Sequence, residues 1–195
     1  TMENEEKIIE WLMQGDPAIR YQTLRDLTKA DEKQIAAERQ QIAKTGWAKQ
    51  LLDHQDPKGT WANGLYTPKW QSTTYSMLQL RRLGMEMNPA TEKGCSILLN
   101  KGFYKDNGIN FFPSWKLSET CVTAMVLSIL CHFRYKDERL HLIAGFLLNE
   151  RMPDGGWNCE SYRGAVHSSF HTTISVLEGL REYEKYAEQF PAKDK

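Results

Sequence analysis

The strongest constraint on this sequence is an internal repeat of nearly fifty residues. Paired leucines begin at Leu51, Leu98 and Leu147, in steps of 47 and 49 residues. Later in each segment a threonine recurs at Thr74, Thr123 and Thr173. A leucine follows each threonine after four residues, at Leu78, Leu127 and Leu177. Because the offsets match in both halves of the segment, the chain is predicted to stack three copies of one supersecondary unit.

Each repeat is predicted to contain two helices. The first helix ends in a turn rich in Gly and Asp, at residues 56–59, 106–108 and 154–156. The second helix is expected to open near Ser118 or Ser168, because serine is a favoured N-cap. From Ala124 to Leu130 this second helix is apolar on nearly every side, which is typical of a buried helix. The pattern predicts an all-α fold in which inner and outer helices form a curved or closed ring.

No linker rich in Pro or Gly divides the chain, so we expect one domain over residues 1–195. N-terminal helices occupy residues 1–44, and the repeats span about 45–90, 91–136 and 137–190. Three repeats are close to the smallest stable stack, which makes the ring partial or small. An incomplete ring would expose apolar inner-helix surface at its edges, so we expect a homo-oligomer.

Charge and composition exclude several classes of function. Lys+Arg and Asp+Glu number 25 each, and this balance argues against nucleic acid as a partner. The longest apolar run, Ala124–Leu127, is too short for a membrane span. The start, Met2–Lys7, is acidic where a signal peptide would be basic. Four scattered cysteines without a CxxC pair are expected to be thiols, so we predict a cytoplasmic location.

One motif resembles a known family. Residues 55–61, QDPKGTW, match the Q-x3-G-x-W core of the motif repeated in squalene cyclases and related enzymes. Gly155-Gly156-Trp157 repeats its end, with Arg151 where the glutamine would stand. Together with the period of helix pairs, residues 45–182 resemble the terpenoid cyclase and protein prenyltransferase superfamily. The resemblance implies an α/α toroid, a fold that usually has five to seven helix pairs in that family.

The same resemblance bears on chemistry. Cyclases that protonate an alkene carry D-x-D-D-T-A at the mouth of an inner helix, whereas residues 119–124 are ETCVTA. A thiol is too weak an acid for that reaction, so polyene cyclisation is the least favoured function. Prenyltransferase β-subunits carry D-x-C there and a Y-H-T-like context on a later helix. The resemblance therefore implies that Glu119, Cys121 and His171 are zinc ligands. In the family, the open zinc position takes a substrate thiol that attacks an allylic diphosphate.

The repeat alignment gives an independent reason to group two of these residues. Cys121 and His171 each lie two residues before the repeat threonine, so they face the same way from adjacent inner helices. A carboxylate, a thiolate and an imidazole would leave one tetrahedral position open, as in catalytic zinc sites. Cys159 and His167 are possible further ligands. The alternative is that Cys121 is a small buried apolar residue and that His171 has a capping or hydrogen-bonding role.

Aromatic residues are concentrated in the loops before the inner helices. The resemblance implies a pocket for an isoprenoid or lipid-like ligand, lined by Tyr66, Trp70, Trp115 and Tyr162. Arg163, Lys69 and Lys116 precede inner helices and are candidate contacts for a diphosphate. For Trp61 and Trp157 we favour a packing role.

Two function hypotheses follow. The first is a zinc-dependent, prenyltransferase-like transferase. The second is a non-catalytic helical scaffold that binds a hydrophobic ligand or a protein partner on its concave face.

Overall fold

The computed structural model describes residues 2–192, with side chains from residue 4 onwards. Within this range the chain forms nine α-helices and no β-strand, which confirms the predicted all-α class. The helices are α1 (Met2–Leu12), α2 (Pro17–Leu27), α3 (Glu32–Arg39), α4 (Gly46–Asp53), α5 (Thr73–Arg82), α6 (Pro89–Gly102), α7 (Thr120–His132), α8 (Arg139–Asn149) and α9 (Phe170–Gln189), with a single 3-10 turn at Ser161–Arg163. None of the helices in the described range combines the length and the apolar character that crossing a membrane requires.

Helix α7 lies at the centre of the core, between α5 and α9. Each of these three helices also packs against the helix that precedes it, namely α4, α6 and α8 respectively. Helix α7 is buried along almost its whole length, as its apolar composition predicts. It is closest to α9 at Gly179, where an added Cβ would lie 2.8 Å from the carbonyl oxygen of Ala124. Helices α7 and α9 therefore meet at a residue that has no side chain.

One hydrogen bond recurs in all three repeats and fixes their register. The backbone N–H that follows each Gly-rich turn donates to a threonine hydroxyl on the next inner helix. The pairs are Trp61 with Thr73, Ile109 with Thr123, and Trp157 with Thr173. The predicted equivalence of Thr74 is thus wrong by one residue, because Thr74 donates to the Leu65 carbonyl instead. The spacing from the turn to this threonine is shortest in the first repeat, 12 residues against 14 and 16, and two adjacent threonines left the sequence alignment ambiguous.

Ser118 and Ser168 hold the turns rather than cap the helices. The N–H and the hydroxyl of Ser118 both donate to the Asp106 carboxylate, and Ser168 binds Asp154 in the same way. Helices α7 and α9 begin one residue further on, with Glu119 and Ser169 at their N-caps. The expected capping role was wrong because each serine hydroxyl already binds the aspartate of its own repeat.

The Q-x3-G-x-W motif is a packing device. The buried indoles of Trp61 and Trp157 donate to the carbonyls of Leu51 and Leu147, in the last turn of the preceding outer helix. The Gln55 amide donates to the Gly59 and Ala90 carbonyls, which ties its turn to the start of α6. These contacts agree with the packing role that we favoured for both tryptophans.

The contact between α7 and α9 gives a direct test of the core. Gly179→Ala adds a Cβ that must displace the α7 backbone, so we predict a destabilisation of about 1–3 kcal/mol. The control is Gly145→Ala on α8, where no heavy atom lies within 4 Å of the added Cβ. There the gain in helix propensity should stabilise the protein by about 0.5–1 kcal/mol. Urea denaturation measures both, and equal effects would contradict the assigned packing.

Candidate metal centre

Three metal-ligating groups meet where the N-termini of α7 and α9 come together. Glu119 is the N-cap of α7, Cys121 is its second residue, and Cys159 lies in the loop before α9. A carboxylate oxygen and the two Sγ atoms all lie within 4.8 Å of one another, and all three residues are half-buried. Among the residues that the structure describes, no other group of three His, Cys, Asp or Glu side chains is gathered in this way.

The Cys159 sulfur accepts hydrogen bonds from both helices. The backbone N–H of Cys121 donates to it, with 3.3 Å between N and Sγ. The Thr172 hydroxyl on α9 also donates to it, with 3.2 Å between Oγ1 and Sγ. Thr172 is buried, and its oxygen accepts in turn from the backbone N–H of Cys159. These bonds fix the position of the sulfur and favour its anionic form.

The two thiols of the site differ in acidity. The hydrogen bond from the Cys121 thiol is the main reason that the pKa of Cys159 falls to about 7, and the Thr172 hydroxyl adds to the effect. The same bond, together with burial, raises the pKa of Cys121. Because the two groups titrate as a pair, the pKa near 7 describes the first ionisation of the pair. Burial raises the pKa of Glu119, and the charge of Lys69 opposes that rise.

The predicted ligand His171 lies outside this group. It is the second residue of α9, as Cys121 is of α7, but its side chain is exposed. In α9 the side chain that turns toward Cys159 is Thr172, one residue later. His167 is exposed in the preceding loop, with its Nδ1 3.1 Å from the Ser168 carbonyl oxygen. The structure thus brings together Glu119, Cys121 and the possible further ligand Cys159.

The Glu119 carboxylate is available as a metal ligand. It forms no capping hydrogen bond to the α7 backbone, although it occupies the N-cap. Cys121 also differs from the core cysteines Cys95 and Cys131, which are buried, because it is only half-buried. Cys121 therefore does not match the small buried apolar residue that the sequence left open as the alternative.

An aromatic row adjoins these three groups. It consists of six side chains in consecutive contact, with centroid distances between 5.0 and 6.4 Å. In order they are Trp70, Tyr75, Tyr66, Phe112, Trp115 and Tyr162. Burial and a hydrogen bond with Tyr75 are the main causes that raise the pKa of Tyr66, and the charges of Cys121 and Glu119 add to the effect. The row and the three ligand groups therefore share one environment. All four predicted aromatic residues belong to this row.

Basic side chains lie at one end of the row and beside its third ring. The Arg163 guanidinium stacks on Trp115 and Tyr162, at 5.1 and 5.2 Å from their ring centroids. The Lys69 ammonium lies 5.9 Å from the Tyr66 centroid. Lys116, the third predicted cation, is exposed and takes part in neither contact. Two of the three basic residues singled out in the sequence thus belong to the site.

Trp70 is held in an uncommon conformation. Its φ is +73°, and 77% of its surface is exposed. A left-handed backbone costs a residue other than glycine roughly 1–2 kcal/mol. Strain of this kind is often kept at binding sites, and an exposed apolar ring in such a conformation offers a ligand contact surface.

The donor set and its spacing fit zinc. With usual Zn–S and Zn–O bond lengths, tetrahedral ligand atoms lie about 3.6–3.8 Å apart. The observed separation between Glu119 Oε1 and Cys121 Sγ is 3.9 Å. Two sulfurs and one oxygen are donors that zinc accepts readily, and three protein ligands leave a fourth position for a small molecule.

Comparison of the sequence with protein-family models finds no match, and comparison with curated proteins finds no significant match. The resemblance to the cyclase and prenyltransferase superfamily therefore rests on the motifs of this sequence.

Sequence reasoning missed two kinds of residue in this site. Thr172 positions Cys159, yet a threonine next to a repeat threonine has no distinguishing signal. Tyr75 completes the aromatic row from within α5, and the sequence analysis did not single it out. The contacts of both residues become visible only once the loops are placed.

The acidity of Cys159 can be measured in metal-free protein. We predict that one thiol ionises with a midpoint near pH 7, because the pKa values of Cys95, Cys121 and Cys131 are all raised. The thiolate absorbance should grow as the pH rises through that value and should be missing in Cys159→Ser. Thr172→Val should shift the midpoint upward, whereas Thr172→Ser keeps the donor and should not. A first thiol ionisation at the ordinary cysteine pKa would contradict this account.

Proposed function

We propose that this chain binds zinc through Glu119, Cys121 and Cys159 and binds an isoprenoid or lipid-like ligand along the aromatic row. Prenyltransferase-like transfer to a thiol is the reaction that such a site would best support. The observation that carries the proposal is the convergence of two thiols and a carboxylate beside a partly exposed row of six aromatic rings.

The chemistry of the donor set supports a role beyond structure. Structural zinc sites are usually closed by four protein ligands, whereas three ligands leave a position for a substrate. A zinc ion bound there would act as a Lewis acid and would hold a substrate thiol as its thiolate. The protein's part would be to fix Cys159 through Thr172 and to place Lys69 and Arg163 where they offset negative charge.

We further propose that the helices form a small or partial α/α toroid. The row of α5, α7 and α9, each backed by the helix before it, is the arrangement that such a ring would contain. The recurring hydrogen bond to Thr73, Thr123 and Thr173 supports three equivalent units. Four free thiols are consistent with the cytoplasmic location that we propose.

Zinc content tests the proposed centre. We predict close to one zinc per chain, measured by plasma mass spectrometry on untagged protein. Glu119→Gln should weaken retention, and Cys121→Ser and Cys159→Ser should weaken it further, because each removes a ligand atom. The matched thiol control is Cys95→Ala, a buried cysteine on α6, which should keep the metal.

A His171→Ala variant separates the two possible ligand sets. With Cys159 as the third ligand, His171→Ala should retain zinc. Loss of zinc in His171→Ala with full retention in Cys159→Ser would instead favour the set that the family resemblance implies. Absence of zinc from the wild type after supplementation would contradict both.

Binding of an uncharged isoprenoid alcohol tests the aromatic row. We predict that Trp115→Ala weakens binding about tenfold, because it removes a ring that contacts two others in the row and the stacking surface of Arg163. Trp47→Ala is the control, since Trp47 is exposed and lies outside the row. Calorimetry measures both variants, and equal affinities would contradict a role for the row. Thioether formation from a prenyl diphosphate and a thiol would then distinguish transfer from binding alone.

A scaffold function is the second candidate, and one surface favours it. Phe170, Ile174 and Leu177 form an exposed apolar stripe on α9, at helical spacing. Ile174 is the repeat counterpart of Ala124, the α7 residue against which Gly179 of α9 packs. The stripe is therefore where a further inner helix would pack, and self-association through it would give the homo-oligomer that we propose.

A further inference from the structure

A second candidate site lies at the opposite end of the inner helices. An open cavity of about 1190 Å³ is bounded by the last turn of α5, the end of α7 and the second half of α9. Residues of α2 and α3 close its far side. The 13 residues of α7 separate it from the candidate metal centre by about 20 Å. It therefore shares no residue with the site described above.

Positive charge is in excess along the cavity wall, although the net charge of the whole chain is zero. Seven basic and four acidic side chains line it, an excess of three positive charges, whereas the whole chain is neutral. A concave wall of one charge sign focuses its field and raises the local concentration of ions of the opposite sign. The cavity is thus suited to an anion.

Arg81 provides an independent observation. It lines the cavity, is only 8% exposed, and has an Nε with no hydrogen-bond partner in the described part of the chain. Its Nη1 lies 3.4 Å from the Glu178 carboxylate and its Nη2 lies 3.9 Å from Glu182. Buried polar groups are nearly always paired. The macrodipole of α5 explains why a basic residue lies in its last turn, but it does not explain why the Nε of Arg81 has no hydrogen-bond partner.

The acidic side chains of the cavity do not neutralise it. Glu182 is the most buried carboxylate of the lining, and its nearest cations lie 3.6 to 3.9 Å away, at Arg181, Lys185 and Arg81. None of these contacts is as short as a direct charge-assisted hydrogen bond. Arg82 and Arg134 also line the cavity and form no ion pair with any residue that the structure describes. Several guanidinium groups therefore have donors to spare.

We propose that this cavity binds an organic anion carrying two or more phosphate groups. Guanidinium forks bind phosphate oxygens through two parallel hydrogen bonds, and six of the seven cations that line the cavity are arginines. The cavity is larger than a single inorganic anion, and Tyr21 and Phe133 add aromatic surface to its wall. Arg81 Nε is the buried donor that such a ligand would satisfy.

Titration calorimetry with tripolyphosphate, pyrophosphate and citrate tests the proposal in the intact chain. We expect one saturable site, with tripolyphosphate bound more tightly than pyrophosphate and both more tightly than citrate. Tighter binding of citrate would overturn the assignment to phosphate, and absence of saturable binding of all three would overturn the site.

Charge variants locate the site without disturbing the core. The double variant Arg82→Ala, Arg134→Ala changes two exposed residues and should weaken tripolyphosphate binding about tenfold. Lys58→Ala, Lys101→Ala changes net charge equally, lies outside the cavity lining, and should leave affinity unchanged. Glu188→Gln removes an exposed acidic group from the lining and should tighten binding. Equal effects of the two double variants, or weaker binding in Glu188→Gln, would overturn the location.

Because Arg81 is buried beside two carboxylates, Arg81→Gln requires a folding control by circular dichroism. A folded Arg81→Gln variant should lose most of the tripolyphosphate affinity, and unchanged affinity would overturn the role of its free Nε. Zinc content should be the same in all these variants, so the outcome for this cavity is independent of the outcome for the metal centre.

Discussion

The close packing of α7 on α9 is the constraint on which both candidate sites depend. Gly179 lets the α9 backbone approach the Ala124 carbonyl, and this contact sets the distance between the two helices. At one end it brings the Cys121 N–H and the Thr172 hydroxyl to the same sulfur of Cys159. At the other end it places Glu182 of α9 beside His132 of α7 and Arg81 of α5. Local chemistry at both ends thus follows from a single long-range contact.

The repeat also determines which groups are available for function. In each unit a threonine hydroxyl on the inner helix and the aspartate of the turn satisfy the backbone of the connecting loop. The N-cap side chains of α5 and α7 form no capping hydrogen bond, whereas Ser169 at the start of α9 does. Glu119 is the N-cap of α7, and its carboxylate faces the thiols rather than the helix backbone.

Much of the fold could be predicted because its signals are local and periodic. The all-α class, the buried character of α7 and the packing role of Trp61 follow from patterns that do not need the loops. The register of the first repeat does not follow from such patterns, since Thr73 and Thr74 are chemically identical and only the loop length decides between them. The toroidal arrangement of the helices stays a prediction, because it depends on contacts between distant units.

Residues of the candidate site could be predicted where the sequence carries a motif or a cluster, in loops as well as on helices. Glu119 and Cys121 were named from the family resemblance, and four residues of the aromatic row from their position in the loops before the inner helices. Cys159 was named only as a possible further ligand, since the path of residues 150–169 depends on a 3-10 turn and on the bond from the Asn158 amide to the His167 carbonyl. The repeat position of His171 was right, but its side chain lies on the exposed side of α9.

X-ray absorption spectroscopy of the zinc-loaded protein tests the central proposal most directly, because it counts the ligand atoms around the metal. The account predicts two sulfur neighbours at about 2.3 Å and lighter oxygen or nitrogen neighbours at about 2.0–2.2 Å, with one sulfur lost in Cys159→Ser. A first shell with one sulfur in the wild type would contradict the proposed centre, and so would a first shell that stays the same in Cys159→Ser.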